Sequence, residues 1–332
     1  MRQIKKKRTL LMTLAAAIIF TVFYNIYDNK RFVIKHAEVK IDKLPEELEG
    51  FTVLQISDLH EKQFGRSQDK VIESINNIKY DIIVFTGDMI NHENGQRKPF
   101  YDLLDGIKNK TNAFFAMGNS DPMPWIINAS DDTMYPSLFI KEIEERGLKY
   151  LERPYEVEKN GVSLWVMDPR EVPSKKPEVS LEMLEKDLKK DSKNSFTVHE
   201  KEIVEKFVDM DKKLDANSII VGVTHVPITD MLVNSIKDYT GEEYWRPDYS
   251  LIIAGHYHGG QIRIPLIGAL YVPGDLPRNG FFPDQRKVKG LMKVDDMQQY
   301  VSAGLGASGA GSPLHFRLFN TPEINVIKFT GK

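Results

Sequence analysis

Phe51 to His60, FTVLQISDLH, is a short, mainly apolar run that stops abruptly at an acid and an imidazole two residues apart. Four to eight β-favouring residues bounded by polar ones read as a buried strand, here Phe51 to Ser57. Asp58-Leu59-His60 follows it directly. The same arrangement recurs downstream. Asp81 to Thr86 precedes Gly87-Asp88, and Asn112 to Met117 precedes Gly118-Asn119-Ser120-Asp121. Ser218 to Thr224 leads into His225, and Tyr249 to Ala254 into Gly255-His256-Tyr257-His258. In α/β sheets, ligands meet the loops at the carboxyl ends of strands. A lone Asp or His there is more often a cap or a turn former. Five such elements in series gather four of the eight histidines, two aspartates and one amide.

Working outward, helices alternate with these strands. Ser67 to Ile78 carries Val71, Ile72, Ile75 and Ile78 at helical spacing, with Ser67 at the capping position. Phe100 to Ile107 and Leu138 to Arg146 read the same way, and Ser180 to Lys190 and Val198 to Met210 are charged helices. Lys159-Asn160-Gly161-Val162 predicts a hairpin turn between Tyr155 to Glu158 and Val162 to Met167. A first strand is expected within Phe32 to Ile41, followed by a polar loop, Leu44 to Gly50. Short strands are expected at Gln299 to Ala303, His315 to Phe319 and Asn325 to Phe329 in the tail rich in Gly and Pro. The fold class is therefore α/β with antiparallel additions, an α+β tendency in the second half.

With no cysteine in the chain, disulfides, thiolate chemistry and sulfur-bound zinc are excluded. The strand-end set Asp58, His60, Asp88, Asn119, His225, His256 and His258 mixes imidazole, carboxylate and amide oxygen. Such a mixture suits Mn, Fe, Zn, Co or Ni better than Ca or Mg. Seven ligands exceed one tetrahedral site, so two divalent ions are expected, held roughly 3.5 to 4 Å apart by a shared carboxylate.

The motif order SDLH, FTGD, MGNSD, THVP and AGHYHGGQIRIP, with the closing segment YVSAGLGASGAGSPLHFRLFNTPEINVIKF, resembles the calcineurin-like metallophosphoesterases. The resemblance covers roughly residues 51 to 330 and is to the bacterial membrane-associated phosphodiesterase branch, which also contains UDP-diacylglucosamine hydrolases. It implies a four-layer α/β/β/α sandwich. It further implies one ion on Asp58, His60 and His258, another on Asn119, His225 and His256, and Asp88 as the bridge. Asp88, Asn119 and His225 then act in catalysis, with a bridging hydroxide as the nucleophile. Two positions depart from the family pattern. Ser120 stands where a proton-donating His is common, and Asn91 replaces the second Asp of GDxxD. A hydroxyl cannot donate a proton as imidazolium does, which shifts the expected substrate toward phosphodiesters or phosphoanhydrides with good leaving groups. Asp121 is weighed as a partial substitute acid against a capping carboxylate, and Asn91 as a hydrogen-bond partner of a ligand.

Upstream, Arg2, Lys5, Lys6, Lys7 and Arg8 precede an uncharged apolar stretch, Thr9 to Tyr27. As a helix it reaches roughly 28 Å, about the thickness of a bilayer core. The small residues Ala15 to Ala17 lie mid-run, against a cleaved signal. The reading is a stub and anchor over 1–31 and a metallophosphoesterase domain over 32–332. The basic stub would be cytoplasmic and the domain extracytoplasmic at the cell membrane. Partners are then the membrane and a phosphoester substrate, with a lipid-linked or cell-envelope one as an option. A net charge of -2 without a basic segment speaks against general nucleic-acid binding. The competing reading is a membrane-tethered, non-catalytic module retaining a structural metal site. His92 is weighed as reaching the site against a surface position, Arg263 as a phosphate contact against a surface role, and Trp125 and the aromatic stretch Tyr239 to Tyr249 as pocket lining or lipid contacts against core packing.

Overall fold

Alternation along each strand decides how the molecule is layered. In β2 (Thr52–Ile56), Leu54 and Ile56 enter one core and Val53 another; in β3 (Ile82–Phe85), Ile83 and Phe85 part from Ile82 and Val84 in the same way. Side chains on a strand point to opposite faces, so a strand apolar throughout is covered on both sides. The computed structural model describes residues 2–128, 130, 133–234, 248–272, 280–308 and 316–331.

The chain begins with helix α1 (Arg2–Asp28) and strand β1 (Val33–Ile41), then β2. Next come α2 (Asp69–Asn77), β3, α3 (Lys98–Gly106), β4 (Ala113–Phe115), the hairpin β5 (Trp125–Asn128) and β6 (Thr133–Pro136), α4 (Leu138–Glu145) and β7 (Lys149–Tyr150). The second half holds β8 (Tyr155–Lys159), β9 (Val162–Met167), α5 (Pro177–Lys190), α6 (Ser195–Asp211), β10 (Ile219–Val223) and β11 (Leu251–Ala254). It closes with β12 (Arg263–Ile264), β13 (Gly268–Ala269), β14 (Gly290–Val294), β15 (Met297–Val301) and β16 (Glu323–Gly331).

One six-stranded sheet has the order β1-β16-β2-β3-β4-β7 and the other β14-β15-β11-β10-β9-β8. The middle strands are parallel, β2 with β3 and β4, and β9 with β10 and β11. Val53, Val84 and Phe114 of the first sheet meet Val166, Val221 and Ile253 of the second in a shared core. On its outer face the first sheet packs against Val71 and Ile75 of α2, Phe100 and Leu103 of α3, and Phe139 and Ile143 of α4. Outside the second sheet, Phe207 and Met210 of α6 pack against Trp165, Ile220 and Ile252. The result is a four-layer α/β/β/α sandwich. It aligns the carboxyl ends of β2, β3, β4, β10 and β11 along one edge.

The hairpin turn forms as expected, with Asn160 (φ 54) and Gly161 (φ 83) both left-handed, as a two-residue primed turn requires. Two local expectations fail. Ser67 does not cap α2, because it sits at φ 49 inside a short 3-10 turn and the helix begins at Asp69 after Gln68. Gln68 instead secures the entry with its side chain, accepting from the Phe64 amide at 3.1 Å and donating to the Lys62 carbonyl at 2.6 Å. The strand expected over His315 to Phe319 reduces to a single bridge between Leu318 and Ile262, and His315 lies outside the described residues. The β5–β6 hairpin and β14 are additional. Helix α1 is long and apolar enough to cross a membrane, and its apolar side chains are exposed from Ile4 to Phe23.

Candidate metal centre

The DLH and GHYH turns aim side chains back over the strand ends by adopting a backbone that L-residues avoid. Asp58, His60, Asp88, His256 and His258 have φ of 49, 46, 55, 69 and 49°. A left-handed non-glycine residue costs about 1 kcal/mol or more, and such residues gather where function over-determines the geometry. Gly118 lets the GD and GN loops touch. A Cβ there would lie 2.1 Å from the Asp88 amide nitrogen.

Two clusters result. Ligand atoms of Asp58, His60, Asp88 and His258 lie within 4.8 Å of one another, and so do those of Asp88, His225 and His256. Asp88 belongs to both. His60 Nε2 is 3.1 Å from His258 Nε2 and 3.4 Å from Asp88 Oδ2. His225 Nε2 is 3.4 Å from the same Asp88 oxygen, 3.0 Å from His256 Nδ1 and 3.0 Å from Asn119 Oδ1. The structure thus brings all seven sequence-predicted residues to one place.

Ligand atoms face one another across these gaps. His225 Nδ1 lies 2.8 Å from the Thr86 carbonyl, a contact that fixes a proton on Nδ1 and turns Nε2, the atom that titrates, toward Asn119 Oδ1. Likewise His60 Nδ1 meets Asn91 Oδ1 at 3.0 Å while Asn91 Nδ2 donates to the His60 carbonyl at 3.3 Å, so His60 Nε2 is bare toward His258. Buried imidazole, carboxylate and amide ligand atoms that converge suit a cation, and the outer hydrogen bonds that orient the His225 and His60 rings are the usual partners of a metal-ligating His. His258 Nδ1 is buried without a hydrogen-bond partner, which leaves that ring oriented by its Nε2 contacts. The residues present therefore fit divalent metal.

The protonation pattern agrees. Burial pushes the Asp58 carboxyl up, a carboxylate in want of a counter-cation. Burial also opposes the charge on Asp88, but His225 and the Ser120 amide hold its carboxyl well below the usual range. Burial, reinforced by His225, lowers His256 to about 4, and burial with His60 keeps His258 neutral. Both present lone pairs at neutral pH.

Ser120 and Asp121 both bond to Asp88 and its loop. The Ser120 amide and hydroxyl donate to the two Asp88 oxygens at 2.8 and 3.1 Å. Asp121 accepts four backbone N–H groups, from Asp88 (2.8 Å), Met89 (2.9 Å), Ile90 (3.1 Å) and Gly118 (2.9 Å). It is the capping carboxylate that stitches the second and third loops together. His92 is exposed on a turn, and Trp125 is half-buried with its ring 4.1 Å from that of His199. Of Tyr239 to Tyr249, residues up to 247 lie outside the described residues, and Tyr249 packs in the core beside Ile252.

The calcineurin-like phosphoesterase profile matches residues 51–260. That stretch is more than half of the chain and contains every residue of both clusters. The chain belongs to the calcineurin-like phosphoesterase family. Among its relatives, the metallophosphoesterase YkoQ of Bacillus subtilis is 23% identical over 321 residues, 95% of this chain and 97% of the relative. The phosphodiesterase YaeI of Escherichia coli is 30% identical over 92 residues, 28% of each chain. A transmembrane protein with a metallophosphoesterase domain from Danio rerio is 29% identical over 86 residues, 25% of this chain and 20% of the relative. This chain is accordingly a metallophosphoesterase-family hydrolase of phosphoester bonds with clustered Asp and His candidates for divalent metal.

Several residues of this calcineurin-like site gave no clear signal in the sequence. Gln55, on the inter-sheet face of β2, donates to Thr86 Oγ1 at 3.0 Å and across to the Ala254 carbonyl at 2.8 Å. Thr86 donates to Ser57, whose hydroxyl bonds Asp58 Oδ2. A polar residue in a strand buried on both faces was the only hint. Arg317 is fully buried and donates to the carbonyls of Gly304, Gly306, Asn320 and His258, and Asn320 adds a 2.6 Å bond to the His258 carbonyl. A single Arg in a Gly-rich tail carries no local signature.

Proposed function

We propose that the chain hydrolyses phosphodiester or phosphoanhydride bonds with two divalent ions, one on Asp58, His60 and His258, the other on Asn119, His225 and His256. Asp88, common to both clusters, is the observation that supports this reading. Bound there, the pair would supply Lewis acidity to the phosphoryl oxygens and an activated water. Asp88 fixes the spacing, and Ser120 fixes Asp88 through both carboxylate oxygens. Thr86 and Asn91 hold His225 and His60 in the tautomers that present Nε2 to the centre. No imidazole occupies position 120, so the substrate must leave without strong protonation.

Residues 1–31 form the cytoplasmic stub and anchor, and 32–332 the catalytic domain outside the cell membrane. The lysine and arginine cluster before α1 supports that orientation. Protease added to intact cells should remove the domain, and full protection would reverse the orientation.

The decisive assay loads the full-length chain with Mn and compares bis-p-nitrophenyl phosphate, UDP-sugars and p-nitrophenyl phosphate. Diester or anhydride turnover should exceed monoester turnover and vanish on chelation. Monoester preference would overturn the substrate class. Metal binding without turnover of any of the three would favour the non-catalytic module.

A further inference from the structure

Helix α1 does not hang from a linker. Only four residues separate Asp28 from β1, and the helix end is bonded to the far carboxyl-terminal region. Asn29 Nδ2 donates to the Arg317 carbonyl at 2.7 Å and Asn29 Oδ1 accepts from the Arg317 amide at 2.9 Å. Buried Asp28 accepts from the Thr321 hydroxyl at 2.9 Å and pairs with Arg31 at 2.5 Å. One turn earlier, Tyr24 stacks on Phe319 with ring centroids 5.9 Å apart.

Sheet topology says which edge this is. β1 is parallel to β16 and β16 antiparallel to β2, so β1 starts at the same edge of the sheet as the end of β2, one strand away, where Asp58 and His60 lie. The helix therefore enters the domain at the ligand-bearing edge. Next to Phe319, Leu318 bridges Ile262, and the Arg263 amide donates to the Leu318 carbonyl at 2.9 Å. From there the β12–β13 hairpin projects a tip, Pro265-Leu266-Ile267, immediately downstream of the His258–Gly260 turn. Leu266 is fully exposed, and Ile264, Ile267 and Phe319 are exposed beside it around one open hollow of about 410 Å³.

We infer that the β12–β13 tip is a second membrane contact, dipping Leu266 and Ile267 into the leaflet from which α1 emerges. The occupant is lipid, because the patch is continuous through Phe319 with Tyr24 of a helix whose own surface is apolar. Aromatic and branched apolar side chains at the end of a span sit at the headgroup boundary, and an amphipathic protrusion beside them is taken up by the same interface. The rigid Asn29–Arg317 joint holds the tip there. This rests on α1 being a span. It would place the mouth of the centre at the lipid surface, where a lipid-linked phosphoester is presented.

The cysteine-free chain allows a direct test. Leu266→Cys, Phe20→Cys and Lys108→Cys variants of the full-length protein, each carrying a nitroxide, are reconstituted into phosphatidylethanolamine–phosphatidylglycerol vesicles. Collision with oxygen is then compared with collision with a water-soluble nickel chelate. Phe20 lies within α1, and Lys108 is an exposed residue just before β4, on the edge opposite the metal ligands. The label at 266 should favour oxygen, as at 20, whereas the label at 108 favours nickel. Nickel access at 266 with lipid burial at 20 overturns the inference and leaves the span intact. Nickel access at 20 overturns both. Protection from both reagents at 266 with spin–spin broadening would mean that a second copy covers the tip, and also overturns it.

Discussion

Asp58, His60 and His258 are sealed from solvent, at 0, 6 and 4% exposure, whereas of Asn119, His225 and His256 only His225 is fully buried. The difference extends outward. Behind the sealed half stand Ser57, Asn91, Asn320 and Arg317; behind the open half, Thr86 alone bonds an imidazole. A buried ligand set is suited to retaining an ion, and one exposed on a face is suited to meeting substrate. On the proposed two-ion reading, the two halves would divide holding from exchange, with Asp88 shared between them.

The largest expected effect removes the distinction. Asp88→Ala takes a ligand from both halves and should abolish both metal equivalents, with activity down about a thousandfold or more. Metal analysis of the purified variant checks this, and full activity with a stoichiometric pair would break the assignment. His256→Ala should empty only the open half. One equivalent would remain and turnover would fall on the order of a hundredfold.

Asn91→Ala sharpens the comparison from the other side. Its loss frees the His60 ring, and metal affinity of the sealed half should fall by about 10 to 100-fold, read by chelator competition. Acidity gives a further contrast. Burial disfavours the charged form of His225, but Asp88 overrides it and raises His225 to about 9 in the metal-free protein. Below that pH an ion must displace this proton. Affinity of the open half should therefore climb about tenfold per pH unit through neutrality and level off near pH 9. His258, kept neutral, adds no such slope to the sealed half. Calorimetric titration across pH separates the two, and equal slopes would erase the difference. Smallest is Ser120→Ala, which deletes one hydrogen bond to Asp88 and should slow turnover only a few-fold, the amide contact being retained.

The sequence by itself determined the seven candidate ligands that the structure gathers and most of the elements near them. A buried parallel strand is mostly apolar until it leaves the sheet, so the first carboxylate, imidazole or amide side chain after each run marks the edge where a site can form. Asp58, Asp88, Asn119, His225 and His256 are all legible by that rule, and Asp121 could be weighed but not decided. Its geometry, four amides converging on one carboxylate, appears only when two loops meet. What tertiary structure alone decided is long-range. Strand β16 inserts between β1 and β2, and this pairing sets the anchor beside the ligand edge. Arg317 grips the His258 carbonyl from 59 residues away. Periodicity and turn chemistry report contacts a few residues apart, whereas register between distant strands and the partner of a lone buried guanidinium depend on the packing of whole layers.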